Sequence, residues 1–382
     1  MRMKKSVNNL NQTIRGVDFW LLFTTLIIIF FGVIMVFSAS YYYALSKFGN
    51  AYHFLIRDVF WAVSGIGIMF LVARVNYNTY KKLAVPILAV VVAMLCLLFV
   101  PGLGQTINGA TRWLKVGITI MPGEWAKLAA ILFTAAFFAA KPRRIKDIRA
   151  VAIALGVAVL LFALIWMQPN LSTAATVVLI VAAIMFIAGL NWSWIAILGA
   201  GGVVGVAMMI IRQDDYKMAR IASFLDPFAD VQGDSYQVVQ GLLAMGSGGL
   251  RGVGFGKSIQ KTLYLPEPQN DFILAIIGEE LGFIGVLLVM IAFLVLIWRC
   301  IRVAIDAPDR FSMLLASGIT AMIAIQVLLN IGIVTSTFPP TGVTLPFISY
   351  GGNAMWMFCA SMGIMLNISY KSKKQQDQGE VI

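Results

Sequence analysis

The stretch YLPEPQNDFILAIIGEELGFIGVLLVMIAFLVLIW, Tyr264 to Trp298, changes character at one residue. Two prolines and a run of polar side chains lead up to Asp271, and from Phe272 onward the chain is almost wholly apolar. A run of this length reads as a membrane span, because about 20 apolar residues cross a bilayer as a helix. It leaves open what a carboxylate does on the threshold.

Similar runs recur along the chain, giving ten candidate spans at roughly 18–40, 56–74, 83–100, 122–140, 148–167, 171–189, 193–211, 271–298, 311–334 and 344–369. With 60% hydrophobic and 12% charged residues, the composition does not suit a water-soluble globule. The expected fold is therefore all-α, a polytopic membrane protein with ten transmembrane helices. Basic residues before the first span and Ser38-Ala39-Ser40 after it resemble a secretory signal. That apolar run is too long for a signal core of about 7 to 15 residues, so an uncleaved helix is expected.

Ten spans place both termini on one side. The segments on that side hold 18 Lys and Arg, against only Lys47, Arg57, Arg112 and Lys115 in the short opposite loops and their flanks. By the positive-inside rule the termini are cytoplasmic. The reading is a cytoplasmic N-terminus over 1–17, one membrane domain over 18–370 and a cytoplasmic tail over 371–382. Much of the formal charge of +12 is then a topological signal, and no nucleic-acid partner is expected.

Three cysteines lie in or at the ends of spans and His53 is the lone histidine, which leaves no basis for a disulfide framework, a thiol-His pair or a His-based metal site. Chemistry must come from carboxylates, Lys, Arg and amides. The one long loop, about 212–270, faces outward and is nearly neutral. Its GSGGLRGVGFGKS ends like a phosphate-binding loop, but that spacing needs Gly where Arg251 stands. The segment reads instead as backbone packed closely at the membrane surface.

Ionisable groups at depth are costly and call for a role. Glu124 and Lys127 open the fourth span three apart, on one helix face; they form either a functional pair or a helix-start carboxylate with its counterion. Asp271 opens the eighth span, either as an N-cap or, if Asn270 caps instead, as a free carboxylate. Glu279 and Glu280 follow about 12 Å deeper on other faces, a position that suits helix-helix hydrogen bonding. Arg57, Arg112, Lys115, Gln168 and the turn from Pro339 to Gly352 add polar groups on the outer side.

MVFSAS (Met35–Ser40), RWLKVG and PGEWAKLA around the fourth span, QPNLSTA (Gln168–Ala174), the segment from Met245 to Gly285 and PPTGVTLPFISYGGN (Pro339–Asn353) together resemble the SEDS family, which includes FtsW, RodA and SpoVE. The resemblance runs in order over nearly all ten spans, and its wording is nearer FtsW and SpoVE than RodA. It implies a peptidoglycan glycosyltransferase that polymerises lipid II on the outer face of the cell membrane during septal wall synthesis. The implied partners are lipid II with the growing glycan strand, a class B penicillin-binding protein and other division-complex membrane proteins. The family's essential Asp falls on Asp271, and its fourth-span Glu and Lys fall on Glu124 and Lys127. The sequence departs from the family at Asn170, where many members carry Asp, and at Asn353-Ala354, where Ser-Ser is common.

On this resemblance Asp271 is expected to act as general base, with Lys127 keeping it ionised. Arg57, Arg112, Lys115, Gln168, Glu267, Thr341, Ser349 and Gly351 are the candidate substrate-binding positions. The sequence fixes no cofactor; a divalent cation, Mg or Mn, bound with the pyrophosphate is the candidate. The alternatives are a lipid II flippase and a non-catalytic division scaffold.

Overall fold

The computed structural model describes residues 18–379 except 108–109, 117, 192–193, 195–223 and 234. Nine helices match nine of the ten expected spans: α1 (Phe19–Phe48), α2 (His53–Arg74), α3 (Tyr77–Leu97), α4 (Pro122–Ala140), α5 (Ile148–Trp166), α6 (Leu171–Ile187), α8 (Ile273–Ile305), α9 (Arg310–Val334) and α10 (Gly352–Gly379). Of the expected span at 193–211, all but Trp194 lies outside the described residues.

Local sequence sets the helix starts. Asp18 caps α1 by accepting from the Leu21 N–H, Pro122 fills the first turn of α4, and Asp309 with Ser312 forms a capping box on α9. Small residues then decide the packing, as expected where lipid gives helices no hydrophobic reason to associate. Ala126, Ala129, Ala130 and Ala135 are fully buried and let α4 sit centrally, against α3, α6 and α9. At Gly318 of α9 an added Cβ would come within 2.7 Å of Ile131 and Ile184, so α4, α6 and α9 meet there with little room to spare.

Four features depart from the sequence reading. First, the fold is not purely helical: β1 (Gly104–Ile107), β2 (Ala110–Val116) and β3 (Ile118–Ile120) form an antiparallel sheet between α3 and α4. Secondly, the long loop contains the helix α7 (Tyr236–Ser247). Thirdly, α10 begins at Gly352, so Ser349, Tyr350 and Gly351 precede the helix instead of lying within a span. Fourthly, α8 is broken at Gly282, whose φ of 68° and ψ of −168° lie in a region nearly restricted to glycine.

The glycine-rich segment docks into that break. Val253 and Gly254 donate to the Glu279 and Glu280 carbonyls at 2.9 and 3.0 Å, while Phe283 and Ile284 donate to Gly249 and Leu250 at 2.9 and 3.2 Å. Groups freed by the break are thus paired inside the protein, as a membrane setting demands. A Cβ on Gly248 or Gly252 would overlap the Gly278 or Glu280 carbonyl, so the glycines serve close backbone approach.

Candidate functional site

A cavity of about 1320 Å³ opens at the end of the bundle where α4 and α8 begin. Asp271 lies on its wall, two residues ahead of α8. The helix is entered at Phe272, whose own side chain offers no cap. Asn270 closes a turn, its side chain donating to Glu267 Oε2 at 2.8 Å and its N–H to the Glu267 carbonyl at 3.0 Å.

The backbone at Asp271 is held from α9. Asn330, fully buried, donates through Nδ2 to the carbonyls of Asp271 and Val343 at 2.8 and 2.7 Å. The Tyr350 N–H donates to the Gln269 carbonyl at 2.9 Å, tying the turn before α10 to the same segment.

Glu124 and Lys127 reach the cavity from the first turns of α4. Lys127 is 1% exposed, and its Nζ donates to Glu124 Oε2 at 2.7 Å and to Gln326 Oε1 at 3.0 Å. Its close partners are thus Glu124 and Gln326, and it lines the same cavity as Asp271. Isolated charges so deeply buried would be very costly; here the pair and the amide compensate each other.

Of the other sequence candidates, Arg57, Arg112, Glu267 and Gly351 line the cavity. Arg112, on β2, is braced by the carbonyls of Gln168 and Pro169. Lys115, Gln168, Thr341 and Ser349 are not on the wall. Lys115 is exposed on β2. Gln168 is buried and serves through its carbonyl. Thr341 offers its carbonyl to Ser172 at 2.6 Å, and Ser349 Oγ accepts from the Leu345 N–H at 2.8 Å.

Sequence reasoning missed Gln326 and Asn330, which share one face of α9 four residues apart. The signal was available as two amides inside an otherwise apolar span. It also missed the aromatic wall of Trp61, Trp113 and Tyr350. Ile56 and Phe60 of α2 complete the wall on one side, and both are exposed on the outside of the bundle.

Of the two deeper carboxylates, Glu280 makes the expected helix-helix hydrogen bond, to Ser38 of α1, while Glu279 bonds instead within its own neighbourhood of the chain. The bend at Gly282 keeps them level with the loop, where Glu279 takes Ser258, Ile259 and Gln260 and Glu280 takes Lys261 and Ser38. Among the described residues no group of three or more His, Cys, Asp or Glu is placed to hold a metal ion.

A sequence profile described as "Cell cycle protein", for FtsW, RodA and SpoVE, matches residues 19–374. The chain is 40% identical to stage V sporulation protein E of Bacillus subtilis over 93% of its length and 98% of the relative's. It is 36% identical to a probable peptidoglycan glycosyltransferase FtsW of Geobacter sp. strain M18, over 95% of this chain and 99% of that one. The fold matches the crystal structure of the Thermus thermophilus rod shape determining protein RodA with a TM-score of 0.69 at 25% identity, covering 93% and 97% of the two chains. A solved chain described under "Structural coordination of polymerization and crosslinking by a peptidoglycan synthase complex" matches with a TM-score of 0.77 at 24% identity, covering 94% and 98%. With a matched profile spanning almost all of it and relatives aligned end to end, this chain belongs to the FtsW/RodA/SpoVE family of cell cycle proteins.

Proposed function

We propose that the chain is a multi-pass membrane peptidoglycan glycosyltransferase that polymerises lipid II, with Asp271 as its general base. The observation that carries this reading is the meeting of Asp271, the Glu124–Lys127 pair, Arg57, Arg112 and Glu267 around one cavity at one end of an apolar bundle. Asp271 takes the proton from the 4-hydroxyl of the acceptor sugar as that oxygen attacks C1 of the donor. The bond from C1 to the pyrophosphate breaks, and the polyprenyl pyrophosphate leaves with its electron pair. Attack opposite the leaving group inverts an α-linked donor into a β-1,4 bond. One carboxylate suffices because pyrophosphate is a good leaving group.

Arg57 and Arg112 are placed to offset the charge of that pyrophosphate, and Lys127, held by Glu124 and Gln326, adds its donor group to the same wall. A divalent cation, Mg or Mn, fits the donor chemistry of the wall, since such an ion takes one or two carboxylates plus substrate phosphates. Glu267 would be such a carboxylate, leaving Asp271 to take the proton, and the ion would neutralise phosphate charge.

The relatives' names support the activity, and the likeness to a chain of a peptidoglycan synthase complex supports a class B penicillin-binding protein as partner. The proposed setting is the division septum, with both termini cytoplasmic and the cavity outside. A flippase calls for ionisable groups along a whole transit path. Two further salt bridges among the described residues, Lys261 with Glu280 beside the break in α8 and Arg299 with Asp18 at the opposite end of the bundle, lie off the cavity wall.

The test is lipid II polymerisation by wild type and Asp271→Asn at matched levels of folded protein. General-base catalysis contributes about 10² to 10⁴-fold, so the variant is expected to slow by that factor while still inserting and folding. Near-normal polymer from Asp271→Asn would refute the assignment.

A further inference from the structure

The reaction as derived leaves unused the most completely buried ionic cluster in the described part of the chain. Lys261, 2% exposed, donates to Glu280 Oε1 at 2.6 Å and to Ser38 Oγ at 2.9 Å, and Ser38 in turn donates to the Glu280 carboxylate. Next to it, Glu279 accepts from Ser258 Oγ and from the N–H groups of Ile259 and Gln260. Both carboxylates belong to the short first part of α8, between Asp271 and the break at Gly282. Apart from Ser38, the donors come from the loop before Asp271.

This geometry closes a ring in the chain. Residues 258–261 are fastened to residues 279–280, and Asp271 lies midway along the segment between the two fastenings. Ser38 joins the ring to α1, so the segment is referenced to the bundle as well as to itself. We propose that Lys261 and Glu280, with Glu279 beside them, are positioning residues for the polymerisation reaction: they form a clasp that fixes where Asp271 sits in the cavity. The proposal rests on Asp271 being the base. A solitary buried pair gives no clear stabilising benefit over apolar side chains of similar volume. Its cost is understandable if the pair fixes geometry, since a misplacement of about 1 Å can reduce a rate roughly 10²-fold.

The test compares wild type, Lys261→Met, Glu280→Gln, the double variant Lys261→Met/Glu280→Met and Ser38→Ala, each purified as the full chain. Single removal leaves a buried charge without its partner and risks unfolding; the double variant removes both charges, and Ser38→Ala keeps the ion pair. Two quantities are read: kcat and KM for lipid II polymerisation, and amide hydrogen exchange along the chain. The double variant is expected to lose roughly 10²-fold in kcat with KM within about twofold, and Ser38→Ala to lose less. Exchange should rise across residues 262–272 and stay at wild-type levels in α4, α6 and α9.

Three results would overturn the proposal: a double variant or Ser38→Ala that polymerises like wild type with unchanged exchange, a slow variant whose exchange rises throughout the bundle, or a clasp variant that cannot be recovered folded even as Ser38→Ala. Asp271→Asn separates this from the base assignment, because it should be slow with wild-type exchange. Full activity there refutes the base, whereas an inactive Asp271→Asn beside fully active clasp variants refutes only the clasp.

Discussion

At Lys127 the chemistry of a single side chain can be separated from its structural part. Removing the ammonium alone leaves Glu124, 7% exposed, without its cation, and breaking a buried pair typically costs about 3 to 5 kcal/mol. Lys127→Met is therefore expected to lower both stability and polymerisation. The double change Glu124→Gln/Lys127→Met should recover most of the stability and not the activity, which thermal unfolding and polymer assays on the same samples would check; recovery of both would mean that the charge acts only in folding. Residue identity also explains the departure at Asn170. Its side chain caps α6 by accepting from the Thr173 N–H at 3.3 Å, a task that Asp performs equally well. Asp271, Glu124 and Lys127 were legible in the sequence because charges at span thresholds stand out. Gln326 and Asn330 were less legible, since an uncharged amide in an apolar span costs less than a charge and stands out less. That Ser349 Oγ bonds within its own turn, to the Leu345 N–H, was not legible, because a hydroxyl's local bonding depends on backbone conformation.

At the scale of elements, the break in α8 carries the clearest expectation. Gly248→Ala drives a methyl group into the Gly278 carbonyl and should destabilise the protein by about 1 to 3 kcal/mol. Gly246→Ala, two residues earlier in sequence, meets nothing within 4 Å and sits in α7, so it should be neutral or mildly stabilising. Denaturation midpoints in detergent compare the two; equal loss would mean that glycine is needed there for flexibility and not for contact. The nine span assignments were readable from apolar length alone. The break was hidden because Gly282 sits in a continuous apolar run, and periodicity does not report the φ of one residue. The sheet had a visible signal, Asn108-Gly109 between two short alternating runs, which favours a hairpin. Beside ten long apolar segments it was easily overlooked.

For the molecule as a whole, orientation is the property most directly tested in cells. Reporters fused after Ile382 and inserted near Gln232 should report cytoplasm and exterior respectively, and finding both on one side would overturn the arrangement of spans. The bundle's wall has a further consequence. Ile56 and Phe60 border the cavity while being 63% and 59% exposed, so in a membrane that flank meets acyl chains instead of water. Substrate can enter sideways, its sugar-pyrophosphate head sliding into the cavity while its tail never leaves the leaflet. Encounter is then a two-dimensional process governed by the mole fraction of lipid II among its neighbours, and extra phospholipid at constant bulk lipid II should slow polymerisation by surface dilution alone.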